Sequence, residues 1–167
     1  IPGVTGVITT LYDTQPGEVW SRERIRAMID EVEAEGLHIA GIESVNVHDA
    51  IKTGAPERDK YIDHYITTLE NLGREGIHLV CYNFMPVFDW TRTELARKRP
   101  DGSTVLAYTQ EAIDALNPEE MFGSISADSN GSLLPGWEPE RMAHIKELFE
   151  MYKDIDDEKL FENLKYF

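Results

Sequence analysis

The run Val80-Cys81-Tyr82-Asn83-Phe84-Met85-Pro86-Val87-Phe88-Asp89-Trp90-Thr91-Arg92-Thr93 reads as an apolar strand that turns polar where it ends. It then passes into a loop carrying a carboxylate, an indole and a guanidinium. Side chains alternate along a strand, so Cys81 and Asn83 share one face while Tyr82 and Phe84 share the other. In α/β barrels ligands sit at the carboxyl ends of the strands, so polar groups gathered at this exit predict a site for a sugar or an acid. A Pro-containing loop that needs polar residues for solubility explains the same composition in a blander way.

Working outward, Glu35-Gly36-Leu37-His38-Ile39-Ala40-Gly41 and Glu75-Gly76-Ile77-His78-Leu79-Val80-Cys81 repeat one another. Each follows an amphipathic pattern and opens an apolar run, which is a helix, a glycine stop and a strand used twice. The first helix is expected after Ser21, a good N-cap, with Ile25, Met28, Ile29 and Val32 on its core face. The second is expected from near Pro56 and Glu57, burying Ile62, Tyr65, Ile66, Leu69 and Leu72 and leaving Asp59, Lys60, Asp63 and Glu70 to solvent. Strands are expected over Val4–Thr10, His38–Val45 and Ile77–Phe84. Their order with the helices implies parallel strands joined by crossovers, as in a doubly wound sheet or a sector of a barrel.

After Pro86 the pattern changes, and residues from about 86 to 155 form an insertion far longer than the usual connection of about 2–6 residues. Within it Arg99-Pro100-Asp101-Gly102-Ser103 is a turn signal between extended pieces, and Gln110 to Leu116 reads as a short helix. A further helix starts at Glu138-Pro139-Glu140, with Met142, Ile145, Leu148, Phe149 and Tyr152 on one face. A last one begins near Asp156 and carries Leu160, Phe161, Leu164 and Phe167.

Acidic residues outnumber basic ones by 31 to 16, for a formal charge of −15. No cluster of Lys or Arg stands against that field, so nucleic acid and anionic membrane are poor partners. An anionic substrate has to be met by local cations such as Arg92 or by a bound metal. The single cysteine, Cys81, sits among apolar neighbours and implies a reducing, cytoplasmic setting. No apolar run approaches the ~18 residues of a membrane span. At 167 residues the chain is short for a closed eight-stranded barrel, which takes about 250. Ile1 in place of Met, and Phe167 inside an amphipathic pattern without a stop signal, read as cut ends.

If the small residues Gly6, Gly41 and Cys81 mark a crowded interior, Thr10, Glu43 and Asn83 point inward near the rim. Glu43 in an apolar strand is expected to be paired, protonated or metal-bound, because a lone buried carboxylate is too costly. His48 follows within a few residues and suits a general acid, a base or a donor to a carboxylate, or else a surface position. Asp89 and Arg92 can bind substrate or simply pair with each other. Trp90, like Trp137, can stack on a sugar ring or anchor the insertion. His48, His64, His78 and His144 do not form a compact ligand set, so no complete metal site is legible.

Several blocks together resemble one family. Gly3-Val4-Thr5-Gly6-Val7, Ile42-Glu43-Ser44-Val45-Asn46-Val47-His48-Asp49-Ala50-Ile51-Lys52, Arg58-Asp59-Lys60-Tyr61-Ile62, the run from Val80 to Thr93, and Leu134-Pro135-Gly136-Trp137 resemble the N-terminal half of mannonate dehydratase. They occur in the family's order, and only about Ala107 to Leu133 is poorly matched. The resemblance implies a partial (β/α)8 TIM barrel of the xylose-isomerase-like type, about strands two to four, with residues 1–167 as the N-terminal portion of one domain. It implies dehydration of D-mannonate to 2-dehydro-3-deoxy-D-gluconate in hexuronate (glucuronate) catabolism, by a cytoplasmic homo-oligomer. It further implies Fe2+ or Mn2+ held by His, Cys, His and Asp residues of later strands that follow Phe167, with an aromatic-rich first strand preceding Ile1. On this reading His48 is catalytic, and Glu43, Asn83, Asp89, Trp90 and Arg92 bind substrate. The alternatives are a metal-dependent sugar isomerase or epimerase on the same barrel, or a non-catalytic acidic binding or assembly domain.

Overall fold

The computed structural model describes residues 2–87, 92–114 and 147–167. Asp89, Trp90, Trp137 and the start of the helix expected from Glu138 lie outside the described residues. The chain divides into two compact units, Ile1–Pro86 with Asp154–Phe167, and Val87–Lys153.

The first unit is a parallel three-stranded sheet with helices. Strands β1 (Gly6–Thr9), β2 (His38–Asn46) and β3 (Val80–Asn83) lie side by side in chain order. Helix α1 (Arg22–Ala34) connects the first two; α2 (Asp49–Thr53) and α3 (Arg58–Arg74) connect the second and third; α5 (Asp157–Tyr166) closes the unit. Ser21 caps α1 by accepting a hydrogen bond from the Arg24 amide, as read from the sequence. Gly36 and Gly76 end α1 and α3 at φ of +73° and +86°, and the next amides, Leu37 and Ile77, bond back to the Val32 and Leu72 carbonyls.

The core joins Trp20, Ile25 and Ile29 to Ile42, Val45, Tyr65 and Leu72. Ile39, Val80 and Phe84 pack against it, so this is the helix-covered face of the sheet. The opposite face carries Ile8, Leu79 and Cys81, all exposed. Cys81 therefore lies open despite its apolar sequence neighbours. Gly6 lies on this face too, where an added Cβ would stand 2.7 Å from the His38 ring.

Strand β2 is irregular against both neighbours. Between Val7/Ile8 on β1 it advances two residues, from Ile39 to Gly41, and between Ile42 and Val45 it advances three while β3 advances two. Each shift sets one extra residue of β2 against its partner, as in a β-bulge. Glu43 lies within the second of these shifts and is exposed, so the burial expected for it is not found. It stands on the face opposite Ile42, which none of the described helices of the first unit covers.

Helix α3 also departs from expectation. Ile66 and Leu69 are exposed, whereas Thr68 and Asn71 are buried. The reason is local: the Trp20 amide donates to Thr68 Oγ1 at 3.1 Å, and Asn71 Nδ2 donates to the Trp20 carbonyl at 2.9 Å. Two polar side chains of α3 thus satisfy both backbone groups of a buried loop residue, and the helix is turned to present them. Helix α5 docks through Asn163, whose Nδ2 donates to the Lys52 carbonyl at 2.8 Å, and Phe167 then packs on Tyr65 and Phe84.

The second unit contains an antiparallel pair, β4 (Glu94–Lys98) and β5 (Thr104–Ala107), followed by α4 (Gln110–Asp114). Its turn is the one expected at Arg99 to Ser103, closed by the Gly102 amide to the Arg99 carbonyl and by Asp101 accepting from the Ser103 amide. Residues 147–152 are helical, with Leu148 and Tyr152 buried.

Asn71→Leu in the full-length protein leaves the buried Trp20 carbonyl without its donor and is expected to cost about 1–3 kcal/mol. Urea unfolding followed by tryptophan fluorescence checks this; an unchanged midpoint would show that the Asn71 bond to Trp20 does not stabilise the fold.

Candidate functional site at the strand exits

The three strands of the first unit end in polar residues. Thr10 Oγ1 donates to the Ser44 carbonyl at 2.7 Å and ties the segment leaving β1 to β2. Asn46 and Asn83 are register partners at the ends of β2 and β3. Asn83 Oδ1 accepts from the Met85 amide at 3.3 Å, which starts the turn out of β3 and leaves its Nδ2 group as the donor for other partners. Asn46 is exposed beside it and was not singled out from the sequence. Strict alternation from Glu43 places Asn46 on the other face, and only the irregularity between Ile42 and Val45 reverses this.

His48 has a defined structural role. Its Nδ1 accepts from the Ala50 amide at 3.0 Å, making it the N-cap of α2, a helix the sequence reading did not anticipate. A ring nitrogen that accepts from an amide carries no proton, so the neutral ring bears its proton on Nε2. Of the three roles read for His48, the geometry therefore favours the hydrogen-bond donor over the base. The ring stacks on Tyr61, with centroids 3.6 Å apart and planes 8° from parallel. Burial pushes the His48 pKa below its ordinary value, against the smaller upward pulls of Asp49 and Glu57.

Gly17 closes over this stack. Its φ is +82°, and an added Cβ would lie 2.6 Å from Tyr61 and 2.8 Å from His48 Cδ2. Its carbonyl accepts from His64 Nδ1 at 2.7 Å, so His64 carries a proton on the nitrogen that His48 leaves bare. Tyr61 stands between the two histidines, edge-on to His64 at 5.9 Å. A small cavity lined by Gly17, Glu18, Asn46, His48 and Tyr61 opens beside the stack. The sequence signal was Tyr61 and His64 at i and i+3 on the first turns of α3, where it reads equally as helix surface.

Glu43, His48 and Asn83 thus lie on one unit, with Glu43 on the open face and the other two at the strand exits. Arg92 is exposed and belongs to the second unit. Among the described residues no three His, Cys, Asp or Glu side chains gather closely enough to hold a metal ion, so these residues do not fit an iron or manganese centre. No helix among them is long and apolar enough to cross a membrane.

The first unit is of the α/β class, a parallel sheet whose polar groups collect where the strands end. The family model described as D-mannonate dehydratase (UxuA) matches residues 1–167, and the chain belongs to that family. A mannonate dehydratase of Brachyspira hyodysenteriae is 66% identical over 167 residues, covering 100% of this chain and 47% of the relative. One from Geobacillus thermodenitrificans is 50% identical over the same span and is covered to 45%. The crystal structure of mannonate dehydratase from Streptococcus suis matches with a TM-score of 0.75 at 39% identity, over 99% of this chain and 42% of that one. The chain spans about half the length of the curated relatives it matches.

Because the folded chain keeps His48 neutral where an unfolded chain has already bound a proton, its share of stability is fully present above about pH 6.5 and is lost as pH falls from there through the depressed folded value. His48→Asn keeps a capping oxygen but has no titration in this range, so the full-length variant is expected to lose less stability than wild type on acidification below pH ~6.5. Melting temperatures measured across pH decide this, and parallel curves would contradict it.

Proposed function

We propose that the whole protein is a hydro-lyase that dehydrates D-mannonate to 2-dehydro-3-deoxy-D-gluconate in hexuronate catabolism. The observation that carries this reading is the family match along all of residues 1–167, joined by 66% identity to a curated mannonate dehydratase. In the same reading the first unit is about strands two to four of a (β/α)8 barrel, with residues of about 86–155 inserted after its third visible strand. The protein is assigned to the cytoplasm as a homo-oligomer.

The reaction breaks the C2–H bond and the C3–O bond and forms a C2=C3 double bond, whose enol then becomes the 2-keto acid. It needs a base for the C2 proton and an acid for the departing oxygen. Neither is assigned to this chain's residues. Their proposed work is to hold the substrate: Asn83 through its Nδ2 group, His48 through its Nε2 proton, and Glu43 as an acceptor for a sugar hydroxyl. Arg92 is proposed to grip the carboxylate with two parallel hydrogen bonds, while Asp89 and Trp90 complete the loop contact. A divalent iron or manganese ion belongs to this reading as cofactor, with ligands outside the described residues.

Product analysis of the full-length protein supplied with D-mannonate tests the assignment. Stoichiometric loss of water with formation of the 2-keto-3-deoxy acid is expected, whereas an isomer or epimer that keeps the C3 hydroxyl would overturn it. Arg92→Lys retains the charge and loses the fork, so KM for mannonate is expected to rise about tenfold, the loss of roughly one charged hydrogen bond. If Arg92 serves only to pair with Asp89, Arg92→Lys and Asp89→Asn will instead show coupled losses in melting temperature with KM unchanged.

A further inference from the structure

Tyr61 has no part in the reading above, yet its ring lies flat on His48 at the strand exits. His48 is held at three points. Its Nδ1 is engaged by the Ala50 amide at 3.0 Å, one ring face is covered by Tyr61 at 3.6 Å, and its Cδ2 edge faces Gly17. Gly17 is in turn fixed through its carbonyl by His64 Nδ1. That leaves Nε2, for which no partner is found among the described residues. No buried side-chain nitrogen or oxygen among them lacks a partner, so Nε2 reaches solvent. The charged groups around the ring are Asp49 and Lys52 of α2, and Glu57 and Lys60 at the start of α3, with Glu18 at the small cavity. They are of mixed sign and do not enforce a charged imidazole.

We propose that Tyr61 is a positioning residue that clamps His48 as its Nε2–H tautomer, so that His48 offers one neutral N–H donor in a fixed direction to a hydroxyl or carboxylate oxygen of the sugar acid. The proposal rests on the site reading above. A cap that bonds Nδ1 selects the tautomer, but a single hydrogen bond leaves the ring free to swing about it. The stacked tyrosine and the close approach of Gly17 remove that freedom, and pre-organised donors bind more strongly because less freedom is lost on binding. Tyr61 thus works through His48, and its face matters more than its hydroxyl.

The test uses the full-length enzyme labelled with nitrogen-15 histidine, with the His48 signals assigned by their loss in His48→Asn. Wild type is expected to show a bare Nδ1 and a protonated Nε2 at neutral pH. Tyr61→Phe should keep this pattern and most of the affinity for mannonate, while Tyr61→Leu should show mixed tautomers and a KM raised about tenfold with a smaller change in kcat. A protonated Nδ1 in wild type overturns the clamp without recourse to any variant, and so does an unchanged tautomer and KM in Tyr61→Leu. Should Tyr61→Leu lose the tautomer while both it and His48→Asn keep the wild-type KM, the clamp exists but does not serve substrate, and the placing of His48 in the site fails. Product formation by wild type is measured in the same preparations, so a failure of the dehydratase assignment is seen separately.

Discussion

Two hydrogen bonds at the backbone of Trp20 hold the candidate site together. The segment between β1 and α1 has to cross the top of the sheet, and at Trp20 it passes through the core, where an unpaired amide and carbonyl would each be costly. Thr68 and Asn71 satisfy them from α3. Once Trp20 is fixed to α3, the preceding turn lies against the start of the same helix, where Gly17 meets Tyr61, His48 and His64. Strand exits and helix starts are thereby locked to each other, and His48 is placed by this packing together with its own capping bond to the Ala50 amide.

Parts of this were legible in the sequence because they depend on local pattern alone. Ser21 as a cap, Gly36 and Gly76 as stops, the turn at Arg99 to Ser103 and the helix start near Asp156 are each decided by a few neighbouring residues. The face of α3 was not. Apolar periodicity favours Ile66 and Leu69 as core, and only the demand of a distant carbonyl, 51 residues earlier in the chain, explains why Asn71 is buried in their place. Asn46 escaped for a related reason. A period of two cannot foresee the extra residue that β2 inserts against β3, and one such residue moves every later side chain to the other face. His48 was singled out as a residue, but its cap was not, since histidine is a poor statistical signal for a helix start.

The electrostatics give the arrangement its sense. A chain of net charge −15 repels a sugar acid at long range, and in the proposed reading the donors with which the first unit meets it, the Asn83 amide and the His48 imidazole, are neutral. Neutral donors gain from close, fixed geometry and suffer little from a surrounding field. A histidine kept uncharged by burial and by its own capping bond suits that role across the ordinary range of pH. The same bond engages Nδ1, so whatever His48 contributes to the proposed dehydration it contributes through Nε2.

A crystal structure of the full-length protein with D-mannonate bound tests the central claim most directly. The account predicts the His48 Nε2 and Asn83 Nδ2 atoms within about 3.2 Å of substrate oxygens, with the Tyr61 ring still stacked on His48. Mannonate bound elsewhere, with both nitrogens facing only water, would contradict it.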